Sequence, residues 1–181
     1  MATYVNDLRL KEITTGDESG TWGTSTNTNL ELIAEALSYA TEAVFDSDAD
    51  KTTTVADGAT DPARSMYYKV TGSATLSATR TLTIAPNTIS RVMFIENATT
   101  GSQSINISQG SGANVTIATG KTKIVYLDGA GSGAAVVDAL GAIEDLIKTG
   151  TAASLTQLNI TAQGDLRLED SSGGEYAAIQ A

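Results

Sequence analysis

Between residues 65 and 128 the chain is a succession of short alternating segments set apart by Gly, Asn and Ser clusters. Candidate strands cover 66–71, 75–85, 89–96, 104–108, 115–119 and 122–127, and Thr, Val, Ile and Tyr dominate them. Leu76, Leu82 and Ile84 alternate with Thr and Ser, as do Ile105 with Ile107 and Val115 with Ile117. A period of two puts every second side chain on one face, so each segment suits a strand with one buried side. This predicts a mainly β fold with two short helices, its centre an antiparallel β-sandwich or jelly-roll-like module.

The rest of the chain is arranged around that module. Residues 1–29 are polar and predict an extended N-terminal arm, with a turn at Gly16-Asp17-Glu18-Ser19-Gly20. Residues 30–45 predict a helix, with Thr28 and Glu31 at capping-box spacing. Its Leu30, Ile33, Leu37, Ala40 and Val44 follow heptad a/d spacing, which suits a seam between chains, although packing within one chain explains the pattern equally well. Residues 46–64 read as a loop. In 129–150, Gly129–Gly133 predicts a hinge, followed by a second heptad helix through Val136, Leu140, Ile143 and Ile147. Residues 151–181 alternate again and read as the start of a β shaft unit. The expected interchain contacts are Leu30, Ile33, Leu37, Val44, Val136, Leu140, Ile143 and Ile147.

Composition narrows the function. The chain has 181 residues, a net charge of −10 and 5% aromatic residues. Its apolar residues are therefore mostly small, and they pack best where identical chains meet closely. Such acidity repels phosphate and speaks against nucleic-acid binding. The sequence holds no Cys and no His, which removes the commonest nucleophile partner, general base and metal ligand. No apolar stretch approaches a membrane span. No cofactor, metal or catalytic residue is expected.

Several motifs imitate chemistry. Gly129, Gly131 and Ala134 fit a relaxed dinucleotide fingerprint, but strands rather than alternating strands and helices precede them. Asp46-Ser47-Asp48-Ala49-Asp50 opens like a calcium loop, yet Lys51 stands where Gly is needed and Asp57 where Glu is needed. Gly120-Lys121-Thr122 ends like a phosphate loop but has Val115 at its first glycine. Asn97-Ala98-Thr99 fits a glycosylation acceptor, relevant only after secretion. Glu144 and Asp145 are adjacent and point apart on a helix, unlike a glycosidase pair.

The stretches Tyr4-Val5-Asn6-Asp7-Leu8-Arg9-Leu10 and Gly16-Asp17-Glu18-Ser19-Gly20-Thr21-Trp22-Gly23-Thr24-Ser25-Thr26-Asn27-Thr28-Asn29-Leu30 resemble the N-terminal region of bacteriophage tail-fibre proteins. Gly110-Ser111-Gly112-Ala113-Asn114-Val115-Thr116-Ile117, Val125-Tyr126-Leu127-Asp128-Gly129-Ala130-Gly131 and Gly164-Asp165-Leu166-Arg167-Leu168 resemble the same family in the same order. The resemblance implies a structural virion component in the viral tail: a parallel homotrimer docked at its N-terminus and meeting the host receptor only through distal regions. The docking partner would be a tail protein such as an adaptor, nozzle or baseplate protein, met by Tyr4, Leu8, Trp22, Asn27 and Asn29, while the lone Trp22 also suits a local core anchor within its own chain. Neither nucleic acid nor membrane is an expected partner. Two alternatives are a carbohydrate-binding β-sandwich, which a row of exposed aromatics would favour, and a glycan-cleaving enzyme, which would need a spaced carboxylate pair in a groove.

Overall fold

A computed structural model of the chain describes residues 3–141 and, as backbone, two strands at Leu166–Glu169 and Glu175–Ile179. The chain divides into a unit ending at Ala142 and a second beginning at Ile143. The protein is mainly β, as expected, with one α-helix among the described residues.

The N-terminal segment is not an extended arm. Strands β1 (Thr3–Val5) and β2 (Leu10–Glu12) form an antiparallel hairpin with Thr3 opposite Glu12. Asn6 and Arg9 sit at positive φ in its turn, and the Asn6 side chain accepts the Leu8 N–H, a local bond that offsets the strain. Helix α1 then runs from Trp22 to Ala36, earlier than its expected place. Thr28 and Glu31 lie inside it and cap nothing. Leu32 and Ala36, four residues apart, form its buried edge.

The second half of the expected heptad helix is strand β3 (Tyr39–Phe45). Ala40 and Val44 are spaced four apart, which places them on one face of a strand as readily as of a helix. Val44 is partly buried against its own chain's core. The expected 46–64 loop contains strand β4 (Lys51–Thr54) and a 3-10 turn at Pro62–Arg64.

From β3 onward the chain winds between two sheets. Strands β5 (Tyr67–Gly72), β6 (Arg80–Ala85), β7 (Arg91–Asn97) and β8 (Ile105–Ser108) alternate between them, followed by β9 (Val115–Ile117), β10 (Thr122–Leu127) and β11 (Val136–Asp138). One sheet has the order β11-β10-β7-β5-β3 and the other β4-β6-β8-β9. The pairs β3–β5, β5–β7, β4–β6 and β6–β8 are parallel. The expected all-antiparallel module is thus corrected. Three successive β-coils stack in parallel, and antiparallel β9, β10 and β11 close the last coil. Parallel neighbours need crossovers, and here each crossover is a strand of the opposite sheet.

The core lies between the sheets. Tyr68, Val70, Met93, Ile95, Val125 and Leu127 meet Leu82, Ile84, Ile105, Ile107, Val115 and Ile117 in one cluster. Burying each large side chain of this kind contributes about 1.5–3 kcal/mol. Stacking is tight where coils turn: a Cβ on Gly72 would lie 2.4 Å from the Phe45 carbonyl oxygen of the coil beneath. Buried Asn97 fixes the exit of the third coil, donating to the carbonyls of Gln103 and Ile117 and accepting from Thr99.

The expected glycine hinge is a tied loop. Gly131–Gly133 form a 3-10 turn, and Asp128 accepts the N–H groups of Ala130 and Ala135. The Gln109 side chain bridges the Gly129 N–H and the Ile89 carbonyl. Val136, expected on a helix, is buried in strand β11 because it completes the five-stranded sheet. Ile143 and Ile147 lie outside the described residues. In the second unit, β12 (Leu166–Glu169) and β13 (Glu175–Ile179) pair antiparallel, with Leu166 opposite Ile179.

Candidate functional site

The motif residues at the N-terminus divide into those that build a joint and those that stand free of it. Asn29 belongs to the joint. Its carboxamide accepts the Lys11 N–H at 3.0 Å and donates to the Lys11 carbonyl at 2.9 Å, adding the edge of α1 to strand β2. Lys11 also pairs with Glu18, holding down the connection between hairpin and helix. Tyr4 is half-buried and packs on Gly58, where a Cβ would lie 2.3 Å from its ring. Arg9 pairs with Asp57 at 2.6 Å, and the Arg9 carbonyl accepts the Gly58 N–H. Leu8 acts through its carbonyl, which accepts from Arg64.

Arg64 is the centre of this joint and is fully buried. Its guanidinium also donates to the carbonyls of Ala56 and Ala59 and pairs with Asp61 at 3.1 Å and Glu35 at 3.5 Å. One buried cation therefore joins the hairpin, α1 and the 56–61 turn. Burial holds the carboxyls of both Glu35 and Asp61 above their ordinary range. Arg91 adds a bond to the Arg64 carbonyl, and burial together with the nearby Arg64 charge pushes its guanidinium down. None of these residues was legible as a site in sequence; the Asp61-Pro62 turn was the available signal.

Trp22 stands outside the joint, 61% exposed at the first position of α1, and Asn27 is exposed on the same helix. The joint therefore fixes the ground beneath Trp22 while leaving its ring in solvent. Leu30, Ile33 and Leu37 are exposed as well, at 59%, 38% and 68%, and form a stripe at three- and four-residue spacing. Leu140 is exposed too, beyond β11.

The outer face of the five-stranded sheet continues this stripe. Tyr39, Tyr67, Phe94 and Ile124 are register partners across β3, β5, β7 and β10. Tyr39 and Tyr67 have ring centroids 5.6 Å apart, and Tyr67 and Phe94 stack at 6.3 Å. Val92, Tyr126 and Val137 make a second apolar row. Beside Leu37, a shallow and almost wholly apolar groove of about 450 Å³ runs between Tyr39, Met66, Tyr67 and Phe94. The neighbouring row is polar, where Lys69 pairs with Glu96 at 3.0 Å.

The motifs that imitate chemistry are committed to structure. Asp46 pairs with Lys51, Asp48 with Arg80 and Ser77, and Asp50 accepts the Thr81 N–H. The hydrogen bonds from Arg80 and then Ser77 hold the Asp48 carboxyl well below the usual carboxylate range. No group of three or more His, Cys, Asp or Glu side chains that could hold a metal occurs among the described residues. No described helix is long and apolar enough to cross a membrane. No protein-family model, no curated protein and no solved structure matches the chain.

Proposed function

We propose that this chain is a structural virion component, the N-terminal part of a homotrimeric phage tail fibre that docks to a tail protein and carries distal receptor-binding regions. The observation that carries the reading is the division of labour inside the Trp22–Asn29 motif. Asn29 locks α1 to the hairpin, and Trp22 projects from the same helix into solvent. A ring held on a rigid base loses little entropy on docking, and Trp is enriched where interfaces concentrate their energy.

The test is complementation of fibreless particles. Trp22→Ala should lower incorporation of the fibre into purified virions while leaving thermal unfolding unchanged. Immunogold labelling of the wild-type chain should decorate the tail. Label elsewhere, or normal incorporation of Trp22→Ala, counts against the reading.

The aromatic row Tyr39–Tyr67–Phe94 favours a second reading, carbohydrate binding. Sugar sites combine rings with convergent polar groups. Here the Tyr67 hydroxyl is taken by Glu96 and Thr122, and that of Tyr39 by Thr41. The groove is apolar, which suits a protein surface better than a glycan.

A further inference from the structure

We infer that the exposed stripe of α1 and the outer face of the five-stranded sheet form one surface on which further copies of this chain pack. The inference rests on the oligomeric reading above and locates its contact. The two features are continuous, because Leu37 at the end of α1 lines the same groove as Tyr39 and Phe94.

Area is the first argument for a second copy. Eight large apolar side chains of the stripe and face are between 37% and 68% exposed. With aromatic side chains covering about 150–250 Å² and aliphatic ones somewhat less, these leave on the order of 700 Å². That exceeds the ~300–600 Å² of the largest patch on a typical monomer. It approaches the ~800 Å² that each partner contributes to a standard stable interface.

Charge is the second argument. Copies of a chain with net charge −10 repel one another, so they can meet only where little charge is present. The aromatic and Val92 rows carry none, and the adjoining row holds Lys69 and Glu96 already neutralised against each other. A contact between copies there would bury apolar surface without bringing carboxylates together. The polar turns of the four-stranded sheet, with Asp46, Asp48 and Asp50, offer no such surface.

The experiment is sedimentation equilibrium of the full 181-residue chain, with Leu37→Asp and Tyr39→Asp beside it. Both positions are more than half exposed, so the monomer fold tolerates them; a far-ultraviolet circular dichroism spectrum that matches the wild type verifies this, whereas the melting temperature falls with lost association. The wild type should sediment at a multiple of 18.6 kDa. Each variant should shift towards a single chain, with at least a tenfold weaker association constant. Thr119→Asp, on an exposed loop off the face, should associate like the wild type. Variants that assemble normally would overturn the inference, and so would a wild type that remains monomeric, which would leave the face to a foreign partner. Virion labelling separates this from the functional reading. A decorated tail with fully assembled variants rejects the surface alone; undecorated particles with disrupted variants reject the fibre assignment alone.

Discussion

The side chain of Asn29 pairs with the main chain of Lys11 in both directions, donor to carbonyl and acceptor to N–H, as a neighbouring strand would. A helix thereby supplies the strand-like partner that β2 lacks on that side. Asn29→Ala removes both bonds and leaves a part-buried N–H and carbonyl to find water. The expected cost is about 1–2 kcal/mol. Hydrogen exchange should show it as faster exchange at Lys11 and its hairpin neighbours, with the β-coil amides unchanged.

Arg64 should be far less tolerant. Arg64→Leu strips Glu35 and Asp61 of their shared cation and frees three carbonyls. Removing one partner of a buried ion pair typically costs about 3–5 kcal/mol. Urea unfolding should report a loss of that size. Arg64→Lys should fall between, since it keeps the charge but cannot reach all the carbonyls at once.

The acid limb of stability should carry the mark of Asp48. Its folded pKa is depressed below the ordinary value of 3.8, so its contribution is complete above that value and is lost as pH falls towards the folded pKa. Asp48→Asn should be less stable than the wild type by a constant amount above about pH 5. That difference should shrink as pH falls below 3.8. Glu35 runs the other way. Its folded pKa is raised above 4.5, so its unfavourable burial as an anion grows as pH rises through and beyond 4.5. Urea midpoints of Asp48→Asn and Glu35→Gln between pH 3 and 7 should therefore diverge from wild type with opposite slopes.

Two glycines should respond oppositely to one methyl group. Gly72→Ala drives a Cβ to 2.4 Å from the Phe45 carbonyl oxygen, and two coils must separate to admit it. A loss of about 2–3 kcal/mol is expected. Gly23 has open space around its Cβ position and lies in α1. Gly23→Ala should raise stability by about 0.5 kcal/mol through helix propensity. Melting temperatures of the two variants decide it.

Strand existence was largely legible, and strand pairing was not. The alternation in 122–127 marks β10 to the residue, and those around Ile105 and Val115 mark β8 and β9 within one or two. Alternation reports which face is buried and is silent on the direction of the neighbour. The stacked positions Tyr39, Tyr67 and Phe94 keep only size, and Glu42, Val70 and Asn97 keep not even that, so the coil repeat leaves no visible period. The helix was displaced because its 22–29 half is written in Thr, Ser and Asn, residues of weak helix propensity. Its fixing bonds, from Asn29 to Lys11 and from Glu35 to Arg64, are long-range and invisible to any local pattern. A lone Trp22 in a polar stretch reads as readily as a local core anchor, so neither its 61% exposure nor the joint beneath it was legible.

Asp7 accepts the N–H of Ser90 at 2.8 Å, Leu8 accepts from Arg64, and Arg91 holds the Arg64 carbonyl. A pull on the hairpin therefore reaches strand β7 at the same time as α1 and the 56–61 turn, which Asn29, Arg9 and Arg64 tie to it. β7 is bonded on both sides, to β5 and to β10, so the load spreads in shear over two rows of hydrogen bonds at once. Under tension from its N-terminus, the module should yield first at the Arg64 contacts and keep its coils wound.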